Sequence, residues 1–171
     1  VLLSDFDFEL PDDRIARYPA ERRDRSRLMV IDRRTSRIEH RTFLDLQELL
    51  TPGDLLVAND TKVLPARLDA VKAGTGGRVE VLLVEPVDGD ETSRRWRAMV
   101  GASKPVRPGT SLALTGGEGA LSVVASEGEG FVVLELPEDA RTLTARHGKM
   151  PLPPYLGRDA EPEDRERYQT V

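Results

Sequence analysis

Cysteine is absent from the 171 residues. This excludes disulfides, thiol nucleophiles, iron–sulfur clusters and cysteine zinc sites within them. Histidine occurs only as His40 and His147, which argues against a histidine-rich metal site. Aromatic residues are scarce, at 5%. No apolar run approaches the ~20 residues that a membrane-spanning helix needs; Val79–Val84 is typical and already carries Glu80. No charged-then-apolar leader opens the chain, so a secretory signal is absent or was removed before residue 1. These absences favour a cytoplasmic protein. The short catalytic signatures are missing too: no G-x-x-x-x-G-K-S/T loop, no G-x-G-x-x-G after a strand, no G-x-S-x-G elbow and no H-E-x-x-H. Gly74-Thr75-Gly76-Gly77 is rich in glycine but lies between two strand patterns and reads as a hairpin turn. His147, in a last helical turn, would favour the C-terminal dipole.

What is present is globular: 39% hydrophobic and 32% charged residues, with a net charge of −5. That charge argues against a general nucleic-acid binder but hides a gradient. Residues 14–41 hold ten arginines against four acids. Such a stripe, with Arg22, Arg23 and Arg25 at its centre, either tracks phosphates or forms a solvated surface of short-range ion pairs.

The first sixty residues mix patterns. Asp12 or Asp13 can cap a short helix carrying Ile15 and Ala16, and Leu28–Asp32 with Arg37–His40 reads as a β-hairpin. Phe43, Leu46, Leu49 and Leu50 have helical spacing behind a Thr42 cap, and Pro52-Gly53 stops that helix. Asp54–Ala58 reads as a compact apolar strand. After Val63 the texture changes. Six strand patterns follow without a helix: Ala66–Lys72, Arg78–Glu85, Trp96–Gly101, Ser111–Leu114, Leu121–Ser126 and Phe131–Leu136. Closure into a barrel removes the edges that six short strands would expose. Helical character returns at Pro137–His147, with Gly148 as its C′ residue, and again from Asp159 to Tyr168. The fold predicted is therefore α/β with an inserted all-β domain. Residues 1–63 and 147–171 form a partial α/β layer, and 64–146 form a six-stranded antiparallel β-barrel.

Three segments are more specialised than a fold requires. Asn59 to Arg67 follows the predicted buried strand, where α/β proteins place ligand groups. Asn59, Thr61, Lys62 and Arg67 offer amide, hydroxyl, ammonium and guanidinium donors; the same stretch also reads as an Asx turn and a proline linker. Arg67 has a planar fork suited to a phosphate or carboxylate, or to an acid that braces the junction. Met150-Pro151-Leu152-Pro153-Pro154-Tyr155 is either a stiff wall with a stacking aromatic or an interdomain linker. Asp164 to Thr170 either reads a ligand through Tyr168 and Gln169 or is a solvated helix end.

The same segments carry a resemblance. Asp5-Phe6 with Leu10-Pro11, Arg27-Leu28, Pro52 to Val57 with Asn59, Thr61 and Pro65-Ala66-Arg67, Met150 to Tyr155, and Tyr168-Gln169-Thr170-Val171 occur in that order. The ordered set resembles the S-adenosylmethionine:tRNA ribosyltransferase-isomerase family of queuosine biosynthesis, end to end and most weakly inside the barrel. The resemblance implies an α/β domain with an inserted six-stranded barrel. It implies S-adenosylmethionine as a co-substrate that donates its ribosyl group, and no metal. The partner would be a tRNA anticodon arm bearing 7-aminomethyl-7-deazaguanine, and the product epoxyqueuosine. On this reading Asn59, Thr61, Lys62, Arg67, Pro153 and Tyr155 bind substrate, and Arg22, Arg23 and Arg25 hold the tRNA backbone; the catalytic base and acid are not identified. The resemblance also implies a monomer when full length, and a family longer than this chain. Its second half would carry much of the α/β sheet and pocket, so the chain alone is expected to be inactive. The reading from a different class is a non-catalytic RNA-binding β-barrel. Its supply of aromatics, Trp96 and Phe131, is poor, and residues 64–146 hold ten basic residues against twelve acids.

Overall fold

The computed structural model describes residues 1–170. They form two compact units: Val1–Asp60 with Pro153–Asp159, and Thr61–Leu152 with Ala160–Thr170.

The first unit is thin in regular structure. β1 (Arg27–Asp32) and β2 (Arg37–Thr42) pair antiparallel, as the alternation predicts. The Asp32 carboxylate accepts from the Arg34 amide at 2.8 Å and tightens the turn, where Ser36 takes a positive φ of 57°. The Asp12 region forms only a 3₁₀ turn, Asp12–Arg14. The helix expected over 43–50 is a 3₁₀ turn, Phe43–Asp45, running into a single α turn, α1 (Leu46–Leu49). Asp45 anchors its start by accepting from the Thr42 amide at 2.8 Å and hydroxyl at 3.0 Å.

The strand expected at Asp54–Ala58 does not form. Leu55, Leu56 and Val57 are 87%, 66% and 82% exposed. A run of this kind becomes a buried strand only between neighbours that satisfy its backbone on both sides, and the described residues supply no such pairing. No described residue of this unit is buried.

The second unit holds the core. β3 (Arg67–Lys72), β4 (Arg78–Pro86), β5 (Arg95–Ala102), β6 (Ser111–Leu114), β7 (Ala120–Gly128) and β8 (Phe131–Glu135) close into a barrel in the order β3-β4-β5-β8-β7-β6. Every neighbouring pair is antiparallel, and β3 with β6 closes the ring. Side chains alternate, so Leu68, Ala70, Val79, Val81, Leu112, Leu114, Leu121, Val123, Val132 and Leu134 fill the interior. Bulges between Leu83 and Glu85 and between Val123 and Ala125 bend the longer strands. The β5–β6 crossover is tied down by Lys72, whose ammonium donates to the Lys104 and Pro105 carbonyls, and Val106 enters the core beside them.

α2 (Ala140–His147) extends that core with Ala140 and Leu143. Asp139 caps it, accepting from the Thr142 amide at 2.9 Å. The chain then passes Gly148 and returns along β3, where the Lys149 amide donates to the Arg67 carbonyl at 2.8 Å. Gly148 does not adopt the left-handed conformation expected of a C′ glycine; its φ is −80°. It is required instead by close approach, since a Cβ there would lie 1.9 Å from the Pro65 carbonyl oxygen. The last helix is shorter than the pattern suggests: α3 is Asp164–Arg167. Pro162 and the left-handed Gly157 keep the chain irregular before it.

Candidate functional site

Two segments more than a hundred residues apart meet on the second unit. Thr61 to Pro65 leads into β3, and α3 with Gln169 and Thr170 lies against it. Gln169 uses both ends of its amide. Its Oε1 accepts from the Val63 amide at 2.8 Å, and its Nε2 donates to the carbonyls of Val63 at 3.1 Å and Arg165 at 3.0 Å. The Thr170 hydroxyl donates to the Thr61 carbonyl. Both flanks of Lys62 are thus pinned by backbone-directed hydrogen bonds.

These segments line a cleft of about 650 Å³, within the range of small-ligand sites. Val63, Leu64, Pro65, Ala145 and Met150 supply apolar wall, and Lys62, Arg141, Arg165 and Glu91 supply charge. Three of these charges are engaged. Arg141 pairs with Glu91 at 3.1 Å. Arg165 donates to the Gly148 carbonyl at 3.1 Å and reaches that of Ala145 at 3.5 Å, closing the C-terminus of α2 where a cation is favoured. His147 also lies in the last turn of α2, as expected, and its ring packs against Gly117 with its Nε2 buried and without a hydrogen bond. The exposed Lys62 has no ion-pair partner among the described residues. The cleft therefore offers an apolar wall and one uncommitted ammonium, suited to a ligand that joins an anionic group to a flat or apolar body.

Of the residues singled out from sequence, Thr61 and Lys62 line this cleft. Arg67 is nearby in sequence but otherwise employed. Its Nη2 donates to the Leu152 carbonyl at 3.2 Å, and its Nε lies 3.7 Å from Glu80. That Nε is buried and makes no hydrogen bond. Asn59, Pro153 and Tyr155 belong to the first unit. Tyr155 sits in a 3₁₀ turn, Pro154–Leu156, and is 68% exposed. In the same unit Arg158 lies over the Tyr18 ring, 4.3 Å from its centroid. Arg22, Arg23 and Arg25 surround another 3₁₀ turn. Arg22 is committed to Asp24 by two hydrogen bonds of 3.1 and 2.5 Å, and the guanidinium holds that carboxyl below its ordinary range. Among the described residues no group of three or more acidic or histidine side chains is placed to hold a metal ion, and no helix is long and apolar enough to cross a membrane. Glu91, Arg141 and Thr144, which complete the cleft, belong to no motif; only the fold brings them to it.

The barrel offers no stacking platform. Trp96 is 4% exposed, with its indole donating to the Ser93 carbonyl, and the Phe131 ring is covered by the Arg97 guanidinium at 4.1 Å.

Comparison with known proteins gives one consistent answer. An S-adenosylmethionine:tRNA ribosyltransferase-isomerase of an Anaeromyxobacter species is 55% identical across 99% of this chain and 48% of its own length. The protein of that name from Pelobacter propionicus is 47% identical across 100% of this chain and 49% of its own length. A solved structure, the S-adenosylmethionine tRNA ribosyltransferase of Thermotoga maritima, is 39% identical, covers 83% of this chain and 48% of that one, and superposes with a TM-score of 0.39. The chain spans about half the length of the curated relatives it matches. The model of the family described as queuosine biosynthesis protein matches residues 3–171, and the chain belongs to that family.

Proposed function

We propose that this chain is part of an enzyme that transfers and isomerises the ribosyl group of S-adenosylmethionine onto 7-aminomethyl-7-deazaguanine in a tRNA anticodon arm, giving epoxyqueuosine, adenine and methionine. Family membership supports the reading. The observation that carries it is that two of the segments bearing the resemblance, Thr61–Pro65 and Gln169-Thr170, meet at one cleft instead of serving as separate linkers.

The chemistry sets the demands on the site. The sulfonium acidifies the adjacent carbon, and a base removes its proton. A hydrogen-bond donor assists departure of adenine, and the acceptor amine attacks in its neutral form. An aromatic face or oxygen acceptors stabilise the sulfonium. None of these steps calls for a metal. In this reading Thr61 and Lys62 bind substrate from the cleft, Asn59, Pro153 and Tyr155 are substrate-binding residues of the first unit considered by itself, and Arg67 braces β3. Arg23 and Arg25 bind tRNA phosphates, with Arg22 shared with Asp24. The enzyme works as a cytoplasmic monomer. The remaining half of the relatives' length completes the α/β layer around residues 1–63 and 147–171, and the barrel is its insertion. An RNA-binding barrel acting without catalysis is disfavoured by the burial of Trp96.

The test uses the full-length protein with S-adenosylmethionine labelled either in the ribose or in the methyl group. Ribose label should pass to tRNA and methyl label should not. Transfer of the methyl label, or of neither, overturns the proposal.

A further inference from the structure

We infer that Gln169 is a positioning residue, which with Thr170 holds the Thr61–Val63 backbone so that Lys62 presents its ammonium to an anionic group of the substrate. The inference rests on the ribosyl-transfer reading and adds to it a residue and a ligand chemistry.

Three observations carry it. The Gln169 amide satisfies both the donor and the acceptor of Val63 and also the Arg165 carbonyl. The Thr170 hydroxyl engages the carbonyl on the other side of Lys62. Between these fixed points Lys62 lines the cleft with no ion-pair partner among the described residues, while its cationic neighbours Arg141 and Arg165 are occupied. A flexible lysine chain loses entropy on binding; fixing its backbone on both sides removes part of that cost in advance. The anion is a carboxylate, as on the amino-acid part of S-adenosylmethionine, or a tRNA phosphate, and an ammonium serves either.

The experiment is steady-state kinetics of the full-length protein, varying each substrate, for Lys62→Met, Gln169→Leu and the double variant. Each single change should raise KM for one and the same substrate by about tenfold with kcat nearly unchanged, the loss of one charge-assisted contact. The double variant should be no worse than either, because Gln169 acts through Lys62. A rise confined to tRNA, with a shallower salt dependence, identifies a phosphate; a rise confined to S-adenosylmethionine identifies the carboxylate. Gln169→Glu guards against a folding defect. Ionised, it has no donor for the Val63 and Arg165 carbonyls; protonated, it regains one. Its KM relative to wild type should therefore fall as the pH is lowered towards 5.

The inference is overturned if the two effects multiply to about a hundredfold, if they fall on different substrates, or if Lys62→Met is silent while the wild type transfers ribose. If the wild type transfers none, the ribosyl-transfer reading falls. The clamp is then judged by titrating inorganic phosphate into the chain and following the Lys62 backbone amide by NMR. A shift that is lost in Gln169→Leu upholds it; an undiminished shift, or none in wild type, overturns it.

Discussion

Gly148 shows how one residue joins the barrel to the cleft. A Cβ at this position would sit 1.9 Å from the Pro65 carbonyl oxygen and 2.4 Å from that of Thr144. Both obstacles are backbone, so neither can swing aside. Pro65 belongs to the cleft-lining segment and Thr144 to α2. Gly148→Ala should lower the melting temperature by roughly 10 °C or more, because the backbone itself must move. Gly117 is the control. The three atoms nearest a Cβ there all belong to the His147 ring, Cε1 at 2.0 Å, and a ring can rotate away; Gly117→Ala should cost at most a few degrees. Differential scanning calorimetry of the two variants checks both. Sequence marks Gly148 as a helix terminator but not as a close approach, because that approach depends on Pro65, far away in the chain. Arg67 is similar. Its type and place suggest ligand binding or bracing equally, and only the positions of Glu80 and the Leu152 carbonyl favour the brace. Gln169 could be flagged by its segment, but its use of both amide ends on Val63 could not be read without the fold.

Strands were more legible than helices, and the reason is physical. Each barrel strand alternates a buried and a solvated side and ends in a Gly, Pro or Asp turn, so its signal is local. The short helices draw on packing that sequence does not show, and isolated turns such as α1 and α3 gain little from propensity. α2 is the exception, with a cap and a buried face. The Asp139 carboxyl is held below the ordinary aspartate range, first by the Thr142 amide and then by its hydroxyl. A depressed folded-state pKa stabilises the fold at pH values above the unfolded carboxyl's own pKa, and the contribution is lost as the pH falls through the folded value. Wild type should therefore melt a few degrees above Asp139→Ala at pH 7. The gap should narrow once the pH drops below about 4, the ordinary aspartate value. Thermal melts at neutral and acidic pH measure it. A gap that widens in acid contradicts the cap.

For the whole molecule the contrast between the units is the main fact. Every buried residue described lies in the barrel unit, while the first unit leaves Phe6, Phe8, Met29, Ile31, Ile38 and Leu55–Val57 largely exposed. The curated relatives are about twice as long as this chain. In the 171-residue chain, hydrogen exchange should be slow in β3–β8 and fast throughout residues 1–60; in the full-length protein the Leu55–Val57 amides should become protected by about tenfold or more. The strand expected at 54–58 is absent because its apolar run finds no pairing partner among the described residues.

The central claim is that the meeting of the 61–65 and 165–170 segments forms the substrate site. Its most direct test is the hydrogen-exchange footprint of the full-length protein, with S-adenosylmethionine and with substrate tRNA added separately. At least one of them should slow exchange in both segments together and leave β5 and β8 unchanged. A footprint on the barrel wall, or elsewhere with both cleft segments unaltered, would contradict the claim.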